Sequence, residues 1–256
     1  MAMPTPEQRE LQRLLVELQS REGEKFRQYF PDTGPLRREL YARHTALMAA
    51  GATYKERLFL KANRVGGTEC AAYELTCHLT GRYPHWWTGR RFTHPIRAWA
   101  SGDTMLTVRD IVQHAMLGQV EGVARDEWTG MIPPTAIDHV TRKSGGVPLC
   151  VDQVWVQHVS GGVSVLEFKS YDQGSRAFMG TAQHFIWCDE EGPIEVYTEC
   201  LMRTMTTQGL ILCTFTPLMG LTPFLQQFLE SAEMPNSDGT GLVPATEVFF
   251  PGERHA

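Results

Sequence analysis

The chain has 256 residues, of which 42% are hydrophobic, so it can bury the core of one large α/β domain or two small ones. Its formal net charge is −5 and it contains no polybasic run, which argues against nucleic-acid binding through bulk charge. No apolar stretch could span a bilayer, and the polar residues after Met1–Pro4 predict no secretory signal, so we expect no membrane partner.

The first 50 residues predict a helical N-terminal segment. Residues 5–29 place leucines on one face with charges between them, as in an amphipathic helix. A turn follows at 30–35. Residues 36–50 predict a second helix, which ends at Gly51.

A phosphate-binding loop is predicted at Lys61–Glu69, between an apolar strand and a helix. In such a loop the main-chain N–H groups and the helix N-terminus bind phosphate, and a hydroxyl, here that of Thr68, ligates Mg²⁺. The usual pattern has glycine at the first position and lysine directly before the threonine. This chain has Lys61 first and Gly67 before the threonine, so the loop alone is a weak motif.

Further along the chain, short apolar runs alternate with helical periodicity. Strands are predicted at 58–60, 96–101, 151–159, 163–168, 184–189 and 209–216, with the third and fourth antiparallel. Helices are predicted at 70–79, 105–117, 194–204 and 223–231. Residues 81–97 and 128–149 look like loops, and 171–180 form a polar segment that contains glycine. This alternation predicts an α/β fold with a mainly parallel sheet and helices on both faces.

A second motif is His184–Glu191, which predicts a buried strand with carboxylates at its C-terminal tip. In a phosphate-loop ATPase the first acid, Asp189, holds Mg²⁺ and the second, Glu190, orients the attacking water. The alternative is a strand that ends in a solvated acidic loop. Because ligands bind at the C-terminal ends of parallel strands, we expect Thr68, Asp189 and Thr216 to converge.

The six cysteines form no CxxC pair and no cluster with histidine. Most of them stand in apolar surroundings. This pattern predicts reduced thiols in the core of a cytosolic protein.

Four stretches together resemble the ATPase domain of large terminase subunits, the DNA-packaging motors of tailed bacteriophages. They are Tyr29–Tyr41, Lys61–Trp87, Trp187–Glu191 and Thr214–Gly220. The resemblance runs over nearly all of the chain and implies a P-loop NTPase of the ASCE/RecA-like architecture. It divides the chain into an N-terminal helical adenine-side segment (1–50), an ATPase core (51–232) and a tail or linker (233–256). A large terminase also carries a C-terminal nuclease domain. Because this chain stops at Ala256, we expect no nuclease activity from it.

The same resemblance implies the cofactors ATP and Mg²⁺. It implies an ATPase that drives double-stranded viral DNA into a procapsid, with the portal protein and the small terminase subunit as partners. We expect a homo-oligomeric ring on assembly and a monomer in isolation. The expected location is the host cytoplasm during virion assembly.

Site residues also follow from the resemblance. Catalytic roles fall to Glu190, Arg176, Lys61 and Arg64, metal binding to Thr68 and Asp189, and nucleotide binding to Asn63, Val65, Gly66, Gly67, Thr68, Glu69, Tyr41 and Thr216. Lys61, with Arg64 as a second positive group, would replace the missing lysine, and Arg176 would complete a neighbour's site. Bland alternatives remain: Thr68 as a simple helix N-cap, Tyr41 as a core residue, and the two basic residues as surface charges.

Other interpretations stay open at this point. One is a different P-loop phosphotransferase, such as a small-molecule kinase, although a kinase needs no carboxylate like Glu190 to polarise water. Another is a catalytically weak or silent nucleotide-binding or assembly module, in which Gly67 marks decay of the site. Arg109 is a weaker candidate for the completing arginine, and Glu191 is expected to be a solvated neighbour. The basic and aromatic loop at 82–91 could contact DNA, but we favour a packing role for it.

Overall fold

The computed structural model describes residues 24–62, 64–217, 220–226, 228 and 246–249, which build one sheet with helices around it. The strands are β1 (Glu56–Leu60), β2 (Arg97–Gly102), β3 (Ile137–Arg142), β4 (Val151–Gln157), β5 (Val163–Ser170), β6 (Phe185–Asp189), β7 (Leu210–Phe215) and β8 (Thr246–Phe249). The helices are α1 (Lys25–Gln28), α2 (Ala42–Ala50), α3 (Gly67–Thr80), α4 (Met105–Thr107), α5 (His114–Leu117) and α6 (Ile194–Thr204), and residues 223–226 are also helical. A π-helical stretch, Val108–Gln113, joins α4 to α5, and 3₁₀ turns lie at Arg38–Tyr41, Arg125–Glu127, Pro134–Ala136, Tyr171–Gln173 and Ser175–Phe178.

The sheet has the strand order β3-β4-β5-β2-β6-β7-β1-β8. Every neighbouring pair from β5 to β8 is parallel, whereas β3 with β4 and β4 with β5 are antiparallel. The predicted α/β fold with a mainly parallel sheet is therefore confirmed. Because β7 lies between β6 and β1, the acidic strand and the loop strand end close together at one edge of the sheet.

Side chains of the central strands fill two cores, one on each face of the sheet. In β6, Phe185 and Trp187 pack into the core that contains α3, and Ile186 and Cys188 pack into the core that contains α6. All five residues of β6 are buried. Helices thus cover both faces, as parallel sheets require.

Three segments differ from the predictions. The stretch at 128–149, predicted as a loop, contains β3, whose mostly exposed side chains give no apolar alternation to signal a strand. The region at 233–256, which carries few helix signals, contributes the edge strand β8. The helix predicted at 36–50 begins only at Ala42, because Tyr41 departs from helical geometry with φ −122° and ψ 39°.

A fully buried ion pair links β1 to α3. Arg57 donates from Nη2 to Glu74 Oε1 at 2.7 Å and from Nη1 to Glu74 Oε2 at 3.0 Å and to the carbonyl of Leu47 at 2.8 Å. His78 lies 3.3 Å from the same carboxylate. Burial raises the pKa of Glu74, but the charge and hydrogen bonds of its two partners outweigh burial and hold it below the ordinary value. The pair therefore stays ionised inside the domain.

Two composition-based expectations can be compared with the fold. All six cysteines are buried and carry free thiols, as predicted. Of the helices in the part of the chain that the structure describes, none has both the length and the apolar character that a bilayer crossing needs.

Candidate functional site

The loop Lys61–Glu69 joins the C-terminal end of β1 to the N-terminus of α3, which is the predicted strand–loop–helix layout. Gly66 has φ 82°, a left-handed conformation that glycine adopts freely, and it caps α3. Arg64 has φ 64°, which is strained for a residue with a side chain. His44 of α2 fixes the loop from outside, because its Nε2 lies 2.9 Å from the carbonyl oxygen of Val65. The loop is therefore held in an open curve that leads into a helix N-terminus.

The side chain of Lys61 is buried under this loop and is not a surface charge. Its Nζ donates to Thr68 Oγ1 at 3.1 Å, and it lies 3.4 Å from Asp189 Oδ1 and 4.0 Å from Glu190 Oε1. The lysine stem crosses Gly67, where an added Cβ atom would lie 2.4 Å from Lys61 Cδ. Glycine at this position thus makes room for a lysine that enters the site from the start of the loop.

Asp189 ends β6 and is almost completely buried. Thr214 Oγ1 of β7 donates to its Oδ1 at 2.7 Å, and Trp187 Nε1 donates to that threonine oxygen at 2.9 Å. Thr68 Oγ1 lies 3.4 Å from the same carboxylate oxygen. Burial raises the pKa of Asp189, while the charge of Lys61 and the hydroxyl groups oppose the rise. This carboxylate is fixed by two strands and the loop.

Glu190 follows directly with φ 64°, so its main chain turns sharply out of the strand. Its N–H donates to the carbonyl of Thr214 at 2.9 Å, and its side chain is 46% exposed. Partial burial and the charge of Asp189 raise the pKa of this glutamate, and Lys61 and a main-chain hydrogen bond with Thr216 oppose the rise. Glu190 is thus the carboxylate of the pair that faces solvent.

The expected convergence takes a slightly different form. Thr68 and Asp189 meet as expected, but Thr216 reaches the site through its main chain. The hydroxyl that contacts Asp189 belongs to Thr214, which the sequence places in a plain buried strand.

A cavity of about 310 Å³ opens beside the loop. Its lining consists of aromatic, aliphatic and loop residues: Tyr29, Phe30, Leu36, Tyr41, His44, Arg64, Val65, Gly66, Glu69 and Cys70. Tyr41 packs edge-to-face against Phe30 at 5.7 Å, and Glu69 is paired with Lys25 at 2.8 Å. Burial raises the pKa of Tyr29 to about 12. The predicted nucleotide residues at 41, 65, 66 and 69 line this cavity, whereas Asn63 lies outside the described residues.

The donor set at the loop fits a magnesium ion. Thr68 Oγ1 and Asp189 Oδ1 are a hydroxyl and a carboxylate oxygen, the kinds of ligand that Mg²⁺ takes. The ammonium of Lys61 contacts both oxygen atoms, so a positive charge already lies where they converge. Within the described ranges, no three His, Cys, Asp or Glu side chains gather as a metal centre. A magnesium ion that arrives with a nucleotide needs only one or two protein ligands, because phosphate and water complete its shell.

Arg176 lies apart from this cluster, exposed on the 3₁₀ turn Ser175–Phe178. Its side chain forms no hydrogen bond or ion pair with any residue that the structure describes. The turn beneath it is fixed, because Phe178 is fully buried and Lys169 Nζ donates to the carbonyl of Ala177 at 2.7 Å. The arginine is therefore presented outward from a rigid base. By contrast, Arg109 pairs with Asp110 at 2.7 Å.

The basic and aromatic loop at 82–91 is mostly occupied with packing. Trp87 is buried and donates from Nε1 to the carbonyl of Arg90 at 3.0 Å. The guanidinium of Arg91 lies over the ring of Tyr83 at 5.4 Å. Glu191, the third acid of the acidic run, is hydrogen-bonded by Thr222 and so is not a free solvated side chain.

Comparison with known proteins places these features in a family. The family model described as terminase large subunit, T4likevirus-type, N-terminal, matches residues 58–252. The large terminase subunit of Salmonella phage P22 is 35% identical over 209 residues, which cover 75% of this chain and 41% of that relative. The chain thus spans about two fifths of the length of the curated relative it matches.

Two solved structures share the fold. The large terminase ATPase domain of Thermus phage P74-26 superposes with a TM-score of 0.54 at 19% identity, over 80% of this chain and 78% of that one. The large terminase of another thermophilic bacteriophage, solved in complex with ADP, gives 0.51 at 10% identity, over 81% and 45%. At these identities the likeness concerns the fold alone.

Proposed function

This chain belongs to the T4likevirus-type terminase large-subunit family, and from that premise we propose that it hydrolyses ATP to move double-stranded viral DNA. One observation carries the proposal. The ammonium of Lys61 lies within 4.0 Å of a hydroxyl (Thr68) and two carboxylates (Asp189 and Glu190), where β1 and β6 end. These are the groups that phosphoryl transfer requires, since its catalysis is mostly positioning and charge stabilisation.

We assign the steps as follows. The N–H groups at the start of α3 bind the phosphates, and Lys61 leaves Asp189 to lie against them. Glu190 orients a water molecule and accepts its proton. The water oxygen forms a bond to the γ-phosphorus while the bond to the β,γ-bridging oxygen breaks, so that ADP and phosphate leave. The raised pKa of Glu190 suits a proton acceptor, because a base is most effective near the working pH.

Thr68 and Asp189 would hold the magnesium ion. The ion supplies a positive charge that bridges the phosphate oxygens and stabilises the charge that develops on them. Thr214 keeps the carboxylate of Asp189 in place for this role through its 2.7 Å hydrogen bond.

The cavity beside the loop would take the adenosine part of ATP. Tyr41 and Phe30 offer aromatic surface and Glu69 and His44 offer polar groups, so residues 1–50 would close the adenine side of a core at 51–232. Arg64 also lines the cavity, where it could add a second positive charge to the phosphates.

Arg176 would act on a neighbouring copy in a ring. An arginine supplied in trans stabilises charge on the transferring phosphoryl group, and the exposed, rigid base of Arg176 suits this use. The proposed partners are double-stranded DNA, the portal protein, the small terminase subunit and further copies of this chain, in the host cytoplasm. Family membership is what supports these partners.

The experiment measures phosphate release with and without Mg²⁺, together with nucleotide affinity. Asp189→Ala should weaken Mg²⁺-dependent nucleotide binding. Glu190→Gln should leave binding nearly intact but lower turnover by roughly 10²–10⁴-fold, since that is what a positioned base contributes. Glu191→Gln is the matched control, because this neighbouring acid is engaged with Thr222.

The proposal fails if Glu190→Gln turns ATP over at the parental rate. Tight nucleotide binding without any Mg²⁺-dependent phosphate release by the parent would favour a silent nucleotide-binding module. Transfer of phosphate to a small molecule in place of water would favour a kinase.

A further inference from the structure

The turn that carries Glu190 is held from behind by Tyr171. The phenol of Tyr171 donates its proton to the carbonyl oxygens of Asp189, at 3.1 Å, and Glu190, at 3.3 Å. Tyr171 is only 5% exposed, and burial raises its pKa, so the hydroxyl keeps the proton that it donates. The tyrosine therefore contacts the main chain of both acids.

The same turn rests on the ring of Tyr171. A Cβ atom added at Gly192 would lie 3.0–3.2 Å from three of the ring carbons, which shows how closely the main chain approaches. The ring also packs at a tilt against that of Phe178, which is fully buried, with 6.3 Å between the ring centroids. Tyr171 is thus fixed by the core while it supports the turn.

This support matters because Glu190 is strained. A residue with a side chain at φ 64° persists only where its surroundings determine the conformation, at a cost of roughly 1–3 kcal/mol. The N–H of Glu190 is fixed by the carbonyl of Thr214, which holds one side of the residue. The Tyr171 hydroxyl holds the other.

We propose that Tyr171 is a positioning residue for Glu190, whose hydroxyl keeps the glutamate in its left-handed conformation and so aims the carboxylate at the attacking water. The inference rests on the proposed ATPase function, because it assumes that Glu190 orients that water. Tyr171 itself does not touch the reacting atoms.

The test compares Tyr171→Phe with Tyr197→Phe. Tyr197 is the matched control, because it is also buried on the α6 face and its hydroxyl also makes a hydrogen bond, to Glu56 away from the site. We expect Tyr171→Phe to lower kcat by about fivefold to tenfold, the rate equivalent of one hydrogen bond, with an unchanged Kd for magnesium ATP. Tyr197→Phe should lower thermal stability to a similar degree and leave kcat unchanged.

A second variant reaches the same contact from the other side. Gly192→Ala would press its methyl group against the Tyr171 ring, and it should also lower kcat without affecting the Kd. In a Glu190→Gln background, Tyr171→Phe should produce no further loss of the single-turnover rate, because it acts only through the glutamate. A crystal structure of Tyr171→Phe should show Glu190 away from φ 64°.

The outcomes separate the two proposals. Parental kcat in Tyr171→Phe, or an unmoved Glu190 in its crystal structure, overturns the role of Tyr171 even if Glu190→Gln abolishes turnover. A further rate loss in the Glu190→Gln background also overturns it. If Glu190→Gln retains the parental rate, the proposed ATPase mechanism fails, and the role of Tyr171 in catalysis fails with it.

Discussion

The packing of Lys61 across Gly67 gives a prediction with a clear geometric basis. An added Cβ atom at residue 67 would lie 2.4 Å from Lys61 Cδ, and its other near contacts are at 3.4 Å. Gly67 is not among the glycines with positive φ, so its main chain accepts alanine. The obstacle to Gly67→Ala is therefore the lysine stem. We expect this substitution to displace the ammonium from Thr68 and Asp189.

The size of the effect follows from the charges. Two unit charges about 4 Å apart interact by about 4 kcal/mol at an effective dielectric constant of about 20. Taking about 3 kcal/mol as the part that phosphate loses, Lys61→Ala should weaken ATP binding by roughly 100-fold. Gly67→Ala should cause a smaller loss of the same kind, since the lysine is displaced but not removed.

The double variant Lys61→Ala/Gly67→Lys restores the common arrangement of the loop. Alanine at residue 61 has no Cδ atom, so the clash is gone and a lysine at residue 67 has room. We expect it to recover about tenfold or more of the lost affinity. Fluorescence anisotropy with a labelled ATP analogue and Mg²⁺ measures the Kd, and a thermal melt checks that each variant is folded.

Parental affinity in both Lys61→Ala and Gly67→Ala would refute this account of the loop. Arg64→Ala is the control at the exposed basic residue. A loss there with none in Lys61→Ala would move the phosphate contact to Arg64, and a loss in neither would favour a silent module.

Three further predictions concern charge. Because burial and the charge of Asp189 raise the pKa of Glu190, kcat should fall with decreasing pH in a range above the ordinary glutamate pKa; a kcat–pH profile in which this acid limb survives in Glu190→Gln would contradict the assignment. Mixed Arg176→Ala and Glu190→Gln proteins should partly recover ATPase activity under ring-forming conditions, because one copy's arginine meets the other copy's intact site; no recovery would mean that Arg176 does not act in trans. In urea unfolding, Arg57→Leu should lower the free energy of unfolding by about 3–5 kcal/mol, since Glu74 is left buried without its partner, and Arg57→Leu/Glu74→Leu should regain much of that loss; equal losses in both variants would contradict this reasoning.

Sequence patterns predicted the elements that carry the site. The runs that became β1, β6 and β7 are mostly apolar, as buried parallel strands are, and α6 matches its predicted bounds of Ile194–Thr204. The edge strands β3 and β8 were missed, because an edge strand is held by main-chain pairing and needs no apolar pattern of its own.

The contacts that hold the site were harder to predict. His44, Thr214 and Tyr171 each bind a loop or turn residue that is 18 to 25 positions away in sequence. No local motif marks such residues, because their partners are chosen by the order of strands in the sheet. The burial of Lys61 was also not predictable, since it depends on the missing side chain at Gly67.

The mutual exclusion of Lys61 and a side chain at residue 67 also bears on how such loops can evolve. A chain that gained a lysine at residue 67 first would carry two side chains in one space, and a chain that lost Lys61 first would leave Asp189 buried without its neighbouring cation. Both single steps pass through a defective protein. Lineages with the lysine at the start of the loop and lineages with it at the end are therefore separated by a fitness valley, although the two end states perform the same chemistry.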